Sequence, residues 1–203
     1  MTSSAYSVAA SREIYRGRVL ALRADEVRMP DGTRAVREVV ENLGAVAVAA
    51  VDEADRVVLI RQYRHPVRRH LWELPAGLLD VAGEPAVRTA ARELYEEAHL
   101  AADRWDLLLD LNPSPGFTDE AVRVFLARGL SDVDGDRFAA EHEEADLLVQ
   151  RVALDDAVRR VLAGEITNAI AVAGILATVR VRDLGWVGLR AVDAPWPDRP
   201  AHR

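Results

Sequence analysis

The sequence predicts an α/β fold: an α/β/α sandwich on a mixed sheet, with an N-terminal strand element added to it. Three features carry this. Short β-branched and apolar runs lie on both sides of residues 84–98. Those residues have the apolar spacing of a helix. Two further helical patterns close the chain.

Residues 1–10 read as a loose polar end. Residues 13–29 and 35–41 are strand-like, and the turn signal Pro30-Asp31-Gly32 between them makes a hairpin. Residues 45–51 and 57–63 are apolar runs split by Asp52-Glu53-Ala54-Asp55, and they read as buried strands. Leu71-Trp72-Glu73-Leu74 is a short strand leading into Pro75-Ala76-Gly77. Glu84-Pro85 opens the next helix, with proline near the first helical position, where its missing N–H costs least. Val87, Ala90, Ala91, Leu94 and Ala98 form the buried stripe of that helix. Strands return at residues 105–111 and 121–127, followed by a polar, acidic segment at 131–146. Residues 147–152 read as a strand, 154–163 as an amphipathic helix and 168–181 as a very apolar one. Residues 183–203, rich in Pro and Trp, lie across the surface or reach a partner. The expected division is a strand element at 1–43, a main domain at 44–182 and a tail at 183–203. There is no internal repeat and no low-complexity tract.

A chain of 203 residues is long enough for one substantial core. Half of it is apolar and 29% is charged, as in soluble globular proteins. Its net charge of −7 argues against nucleic acid or an anionic membrane as partner. A small anionic substrate stays open, because local arginines and a metal overcome a global field. No cysteine is present, which excludes disulfides, thiol catalysis and Cys-based zinc sites. The first residues lack the basic start and apolar core of a signal peptide, and no run reaches the ~18 apolar residues of a membrane span. The expected location is the cytoplasm.

The most informative segment is GLLDVAGEPAVRTAARELYEEAHL, from Gly77 to Leu100. In a helix, Glu93 and Glu97 stand four residues apart and Glu96 is one turn on from Glu93. Like charges so spaced destabilise a helix. A divalent cation reverses that penalty, because Mg²⁺ takes hard oxygens from one or two carboxylates and completes its shell with substrate phosphates and water. The five histidines, His65, His70, His99, His142 and His202, show no metal-ligand spacing.

This segment resembles the Nudix box, Gly-x5-Glu-x7-Arg-Glu-U-x-Glu-Glu-x-Gly-U with U aliphatic, on Gly77, Glu84, Arg92, Glu93, Leu94, Glu96, Glu97 and Leu100. It departs twice. Six residues separate Gly77 from Glu84, so the loop must bulge or Glu84 must be displaced. His99 replaces the last glycine, at a helix end where a left-handed backbone is usual, and this is expected to cost little. The resemblance implies the Nudix α/β/α fold and hydrolysis of a nucleoside diphosphate linked to another group. It implies metal binding by Glu93, Glu96, Glu97 and the carbonyl of Ala76, with Mg²⁺ as cofactor and Mn²⁺ as a substitute. Arg92, four residues from Glu96, is expected to orient the carboxylates.

Leu71-Trp72-Glu73-Leu74-Pro75-Ala76-Gly77 and Ser114-Pro115-Gly116-Phe117-Thr118-Asp119-Glu120 look like the corresponding stretches of bacterial ADP-ribose pyrophosphatases of the actinobacterial kind. Pro115 stands where that subgroup has a marker proline. The similarity extends to Arg37-Glu38-Val39-Val40, Gln62-Tyr63-Arg64-His65, His142-Glu143-Glu144-Ala145-Asp146 and Gly164-Glu165-Ile166-Thr167-Asn168. It implies that Arg37 and Arg64 contact substrate, for which the arginine fork is suited. It assigns the catalytic base to Glu144, which precedes Ala-Asp, with Glu141, Glu143 and Asp146 as neighbouring alternatives. It further implies a homodimer through the N-terminal strands. Trp72 and Phe117 read as core or loop anchors, and Glu73 either lines the site or pairs with a nearby arginine. Two other readings stay open. One is hydrolysis of another nucleotide sugar such as ADP-glucose or GDP-mannose; the other is a catalytically silent domain that binds ADP-ribose.

Overall fold

The turn at Pro30-Asp31-Gly32 closes a hairpin between β2 (Ala21–Arg28) and β3 (Arg34–Glu41). The computed structural model describes residues 5–133 and 147–200. Met29 and Thr33 are joined by a backbone hydrogen bond of 2.8 Å, and the Asp31 carboxylate accepts from the Thr33 N–H at 2.9 Å. Part of the expected loose end is instead β1 (Ser7–Arg16), antiparallel to β2. All ten residues of β1 are exposed. Backbone pairing and a Ser11–Asp25 hydrogen bond of 2.6 Å hold it, rather than burial. With no buried face it lacks the alternation that marks a strand in sequence.

The apolar runs form the centre. β4 (Ala45–Ala50) lies between β7 (Ala76–Leu78), antiparallel, and β9 (Val122–Asp132), parallel; β8 (Leu100–Leu111) completes this four-stranded mixed sheet. β5 (Arg56–Arg64) pairs with β6 (Arg69–Glu73) and β10 (Leu148–Ala153) in a second sheet, with one 3-10 turn, His65–Val67, between β5 and β6.

Both faces of β4 are covered, which explains its unbroken apolar run. Ala47, Ala49 and Val51 pack with α2 (Leu154–Leu162) and α3 (Ala169–Asp183), through residues such as Ala157, Ala171 and Ile175. Val46, Val48 and Ala50 pack on the other face with Ala90 and Leu94 of α1 (Ala86–Ala98). Alternation with period two thus sends successive side chains to opposite helical layers. This is the expected sandwich. Pro85 caps α1 rather than beginning it, and the Asn168 side chain caps α3 through the Ala171 N–H at 3.0 Å.

The tail lies across its own sheet. Leu107 and Arg190 bridge their backbones. The buried Arg123 guanidinium donates to the carbonyls of Ala194 (2.8 Å) and Pro195 (3.2 Å) and sits 4.6 Å from the Trp196 ring. No helix among the described residues is long and apolar enough to cross a membrane.

Candidate active site

Strand β7 runs beside the second half of α1, and two of the box carboxylates reach back to it. The Glu97 carboxylate accepts the Ala76 N–H at 2.8 Å. Glu93 lies over Gly77 so closely that a Cβ there would overlap its carboxyl group. Gly77 is therefore required for space. The Glu93 side chain is 14% exposed, against 41% for Glu96. Burial pushes the Glu93 carboxyl up to about 7; Arg92 opposes the rise and Glu96 adds to it. Burial likewise pushes Glu97 up to about 8, against the Ala76 hydrogen bond and with Glu93 reinforcing.

Arg92 spans this face of the helix, 2.8 Å from Glu93 and 3.1 Å from Glu96. Its other nitrogen is 3.7 Å from Asp80 and 3.8 Å from Glu84. The extra loop residue is absorbed in a turn closed by Glu84 N–H to the Val81 carbonyl (3.2 Å), with Gly83 at φ +78°. The Glu84 carboxylate then accepts from the Thr89 hydroxyl at 2.8 Å and faces Arg92. His99 takes the left-handed conformation, φ 54° and ψ 40°, that the missing glycine would have taken.

Ala76 and Gly77, the β7 residues against which Glu97 and Glu93 pack, line a cleft of about 390 Å³ together with Arg64, Glu73, Glu120 and Asn168 among others. Arg64 donates to the buried Glu73 carboxylate through Nε (3.0 Å) and Nη2 (2.7 Å). Glu120 is pushed up by burial and pulled back by Arg64. Glu120 follows the loop after β8, which docks on β3: Val40 N–H donates to the Phe117 carbonyl (2.8 Å), and the Asp119 carboxylate accepts the Asn42 N–H (2.8 Å). Glu73 both lines the cleft and pairs with an arginine, the two roles the sequence offered for it, and the arginine is Arg64; Glu120 was not singled out by sequence reasoning. Only the position of Glu120, next to the apolar start of β9, hints at its placement. Arg37 stands on β3 opposite Asp25, exposed, and is not among the residues lining this cleft in its own chain. Glu144, and with it Glu141, Glu143 and Asp146, lies outside the described residues.

The donor set suits a divalent cation. Glu93 and Glu97 carry two charges whose burial is uncompensated enough to hold protons near neutrality, and hard oxygen ligands match such an ion. Among the described residues no three acidic or histidine side chains converge into a ready cage, and Arg92 occupies Glu93 and Glu96.

The sequence matches the NUDIX domain over residues 35–171. The chain belongs to the Nudix hydrolase family. Nudix hydrolases use divalent metal ions, in keeping with these carboxylates. The nucleoside diphosphate sugar hydrolase N-terminal domain matches residues 8–40. The chain is 50% identical to an ADP-ribose pyrophosphatase of Mycobacterium tuberculosis over 200 residues, covering 98% of this chain and 95% of that one. It is 38% identical to an ADP-ribose pyrophosphatase of Bacillus subtilis, covering 79% and 85%. A solved structure described as an ADP compounds hydrolase superposes with a TM-score of 0.75 at 21% identity, over 90% of this chain and 97% of that one, which establishes the shared Nudix fold.

Proposed function

We propose that this Nudix protein hydrolyses ADP-ribose with Mg²⁺, or Mn²⁺ in its place, to AMP and ribose 5-phosphate. The observation that carries the reading is the packing of Glu93 and Glu97 against the cleft-lining residues Gly77 and Ala76: Gly77 makes room for one and the Ala76 N–H anchors the other. The two relatives named as ADP-ribose pyrophosphatases support the choice of substrate.

Glu93, Glu96, Glu97 and the Ala76 carbonyl would hold the metal. Bound there, the cation would supply neutralisation of the phosphate charge and polarisation of the attacking water. Arg64 binds a phosphate oxygen of the diphosphate at the cleft wall. Glu144 takes a proton from the water as its oxygen bonds to phosphorus. The bond from that phosphorus to the bridging oxygen breaks, and the two monophosphates leave. Arg92, tied to Glu93 and Glu96, keeps their carboxylates oriented.

The protein acts as a homodimer, with residues 1–43 as the dimerisation element, 44–182 as the catalytic domain and 183–203 as a tail. The three-stranded N-terminal sheet and Tyr6 just before it expose Val8, Ile14, Tyr15, Val36 and Tyr6 itself, apolar side chains that a second copy would cover. Arg37, absent from its own cleft lining, is then supplied across the dimer.

Product chromatography tests the reaction, on ADP-ribose, ADP-glucose, GDP-mannose, NADH and diadenosine polyphosphates, with Mg²⁺ and with a chelator. Metal-dependent AMP and ribose 5-phosphate, with ADP-ribose favoured, are expected. Preference for another nucleotide sugar would replace the substrate. Binding of ADP-ribose without turnover of any compound would make the protein a silent binder.

A further inference from the structure

Arg64 ends β5 with its side chain 41% exposed, yet its guanidinium is fixed. The Glu73 carboxylate, only 3% exposed, takes it fork on fork at 3.0 and 2.7 Å. Gln62 donates to the same Glu73 Oε2 at 3.4 Å. The register pairs Ile60 with Glu73, so residues 60, 62, 64 and 73 share one face of the β5–β6 pair. Gln62, Arg64 and Glu73 thus form one polar chain running from the buried strand pair into the cleft.

Stability is a poor reason for this arrangement. A buried ion pair recovers little more than its desolvation cost, and packed apolar side chains of similar volume do as well or better. Leu71 and Leu74, close by in sequence and lining the same cleft, show that apolar residues are accommodated there. What the pair uniquely supplies is orientation. Arginine has a long stem with many rotamers, and ordering it on binding weakens affinity. With its Nε–Nη2 edge committed to Glu73, the guanidinium is held in one orientation at the cleft wall.

We propose that Glu73 is the positioning residue that presents Arg64 to the diphosphate of the substrate. Glu73 itself touches no reacting atom. The inference rests on the reading of this cleft as a nucleoside diphosphate sugar site.

The test compares wild type, Glu73→Gln, Glu73→Asp, Arg64→Gln and the Glu73→Gln/Arg64→Gln double variant. Four quantities are read: kcat and KM on ADP-ribose, the Mg²⁺ concentration for half activity, the melting temperature, and calorimetric binding of ADP to the metal-free protein. Loss of a charge-assisted contact is expected to raise KM roughly tenfold and to weaken ADP binding by a similar factor. The turnover number should stay within about threefold and the Mg²⁺ requirement should not move. Glu73→Asp should recover part of the loss, and Glu73→Gln should add nothing in the Arg64→Gln background, because both act through one contact.

A lowered melting temperature with KM and ADP binding unchanged would make the pair structural and overturn the proposal. So would full additivity with Arg64→Gln, or a shifted Mg²⁺ requirement at constant KM, which would place the action of Glu73 on the metal carboxylates. If Glu73→Gln does not fold, Glu73→Asp carries the same comparison through its loss of reach. A wild type that binds ADP but hydrolyses no ADP-ribose sinks the substrate reading alone, and the ADP arm still decides the role of Glu73. A wild type that binds no ADP overturns the positioning role.

Discussion

Replacing Glu97 by glutamine should make the metal-free protein more stable while removing most of its activity. In the folded chain the Glu97 carboxyl is raised from an ordinary 4.5 to about 8, chiefly by burial. Between those values the folded state holds a proton that the unfolded chain has released. Stability contributed by this group is therefore complete below pH 4.5 and is lost as pH climbs toward 8. At about 1.4 kcal/mol per pH unit the ionised carboxylate removes up to roughly 4 kcal/mol at pH 8; we expect about half of this after local relaxation. Glutamine has no charge to bury and its amide oxygen can still accept the Ala76 N–H. For a chain of this size 2 kcal/mol corresponds to roughly 4–8 °C in melting temperature. The assay is thermal unfolding of both proteins in chelator at pH 5.5 and pH 8. The variant should melt higher at pH 8, and the gap should shrink at pH 5.5. Saturating Mg²⁺ should stabilise the wild type more than the variant. A variant that melts at or below wild type at pH 8, or a gap independent of pH, would refute the claim that a buried charge awaits a cation here.

Gly77→Ala should cut kcat/KM by about tenfold or more, since the new methyl displaces the Glu93 carboxyl; near-normal kinetics would show that Glu93 can move without loss. His99→Gly should raise stability by ~1 kcal/mol and the melting temperature by about 2–4 °C, because the left-handed backbone at 99 suits glycine; an unchanged melting temperature would mean that the Tyr95–His99 ring contact offsets the strain. Glu144→Gln should lower kcat by about a hundredfold with little change in ADP-ribose binding; a near-normal Glu144→Gln beside an inactive Glu143→Gln would move the base by one residue. Sedimentation at micromolar concentration should give a dimer, and a fully active monomer would sink the dimer proposal.

The sequence announces what is periodic and local. Both faces of β4 are buried, so residues 45–50 read as an apolar run, and the α1 stripe through Ala90 and Leu94 is visible for the same reason. The Asn168 cap and the turn at residues 30–32 are short-range chemistry and equally plain. β1 was hidden because none of its residues is buried: backbone pairing and the Ser11–Asp25 hydrogen bond hold it, and neither leaves an apolar alternation. The tail's Pro and Trp content pointed to the surface or to a partner, and it lies across its own sheet; what the sequence did not show is the anchor, Arg123, 71 residues away from Ala194.

The site divides along the same line. Glu93, Glu96 and Glu97 are legible because a helix brings neighbours in sequence to one face. Glu84 was ambiguous only until the loop was seen, where Gly83 takes up the extra residue and leaves the carboxylate on Thr89. The wall of the cleft is different. Arg64, Glu73 and Glu120 come from three strands or their ends and meet through register, which no spacing rule contains. Glu73 shows the consequence most directly. In the sequence it is an acid between two apolar residues, and no spacing names the arginine it would pair with. In the fold it is nearly inaccessible and holds the arginine that faces the substrate cleft. The sequence left open whether Glu73 lines the site or pairs with an arginine; strand register makes it do both, because Ile60 and Glu73 are paired and Arg64 lies four residues along the same face of β5.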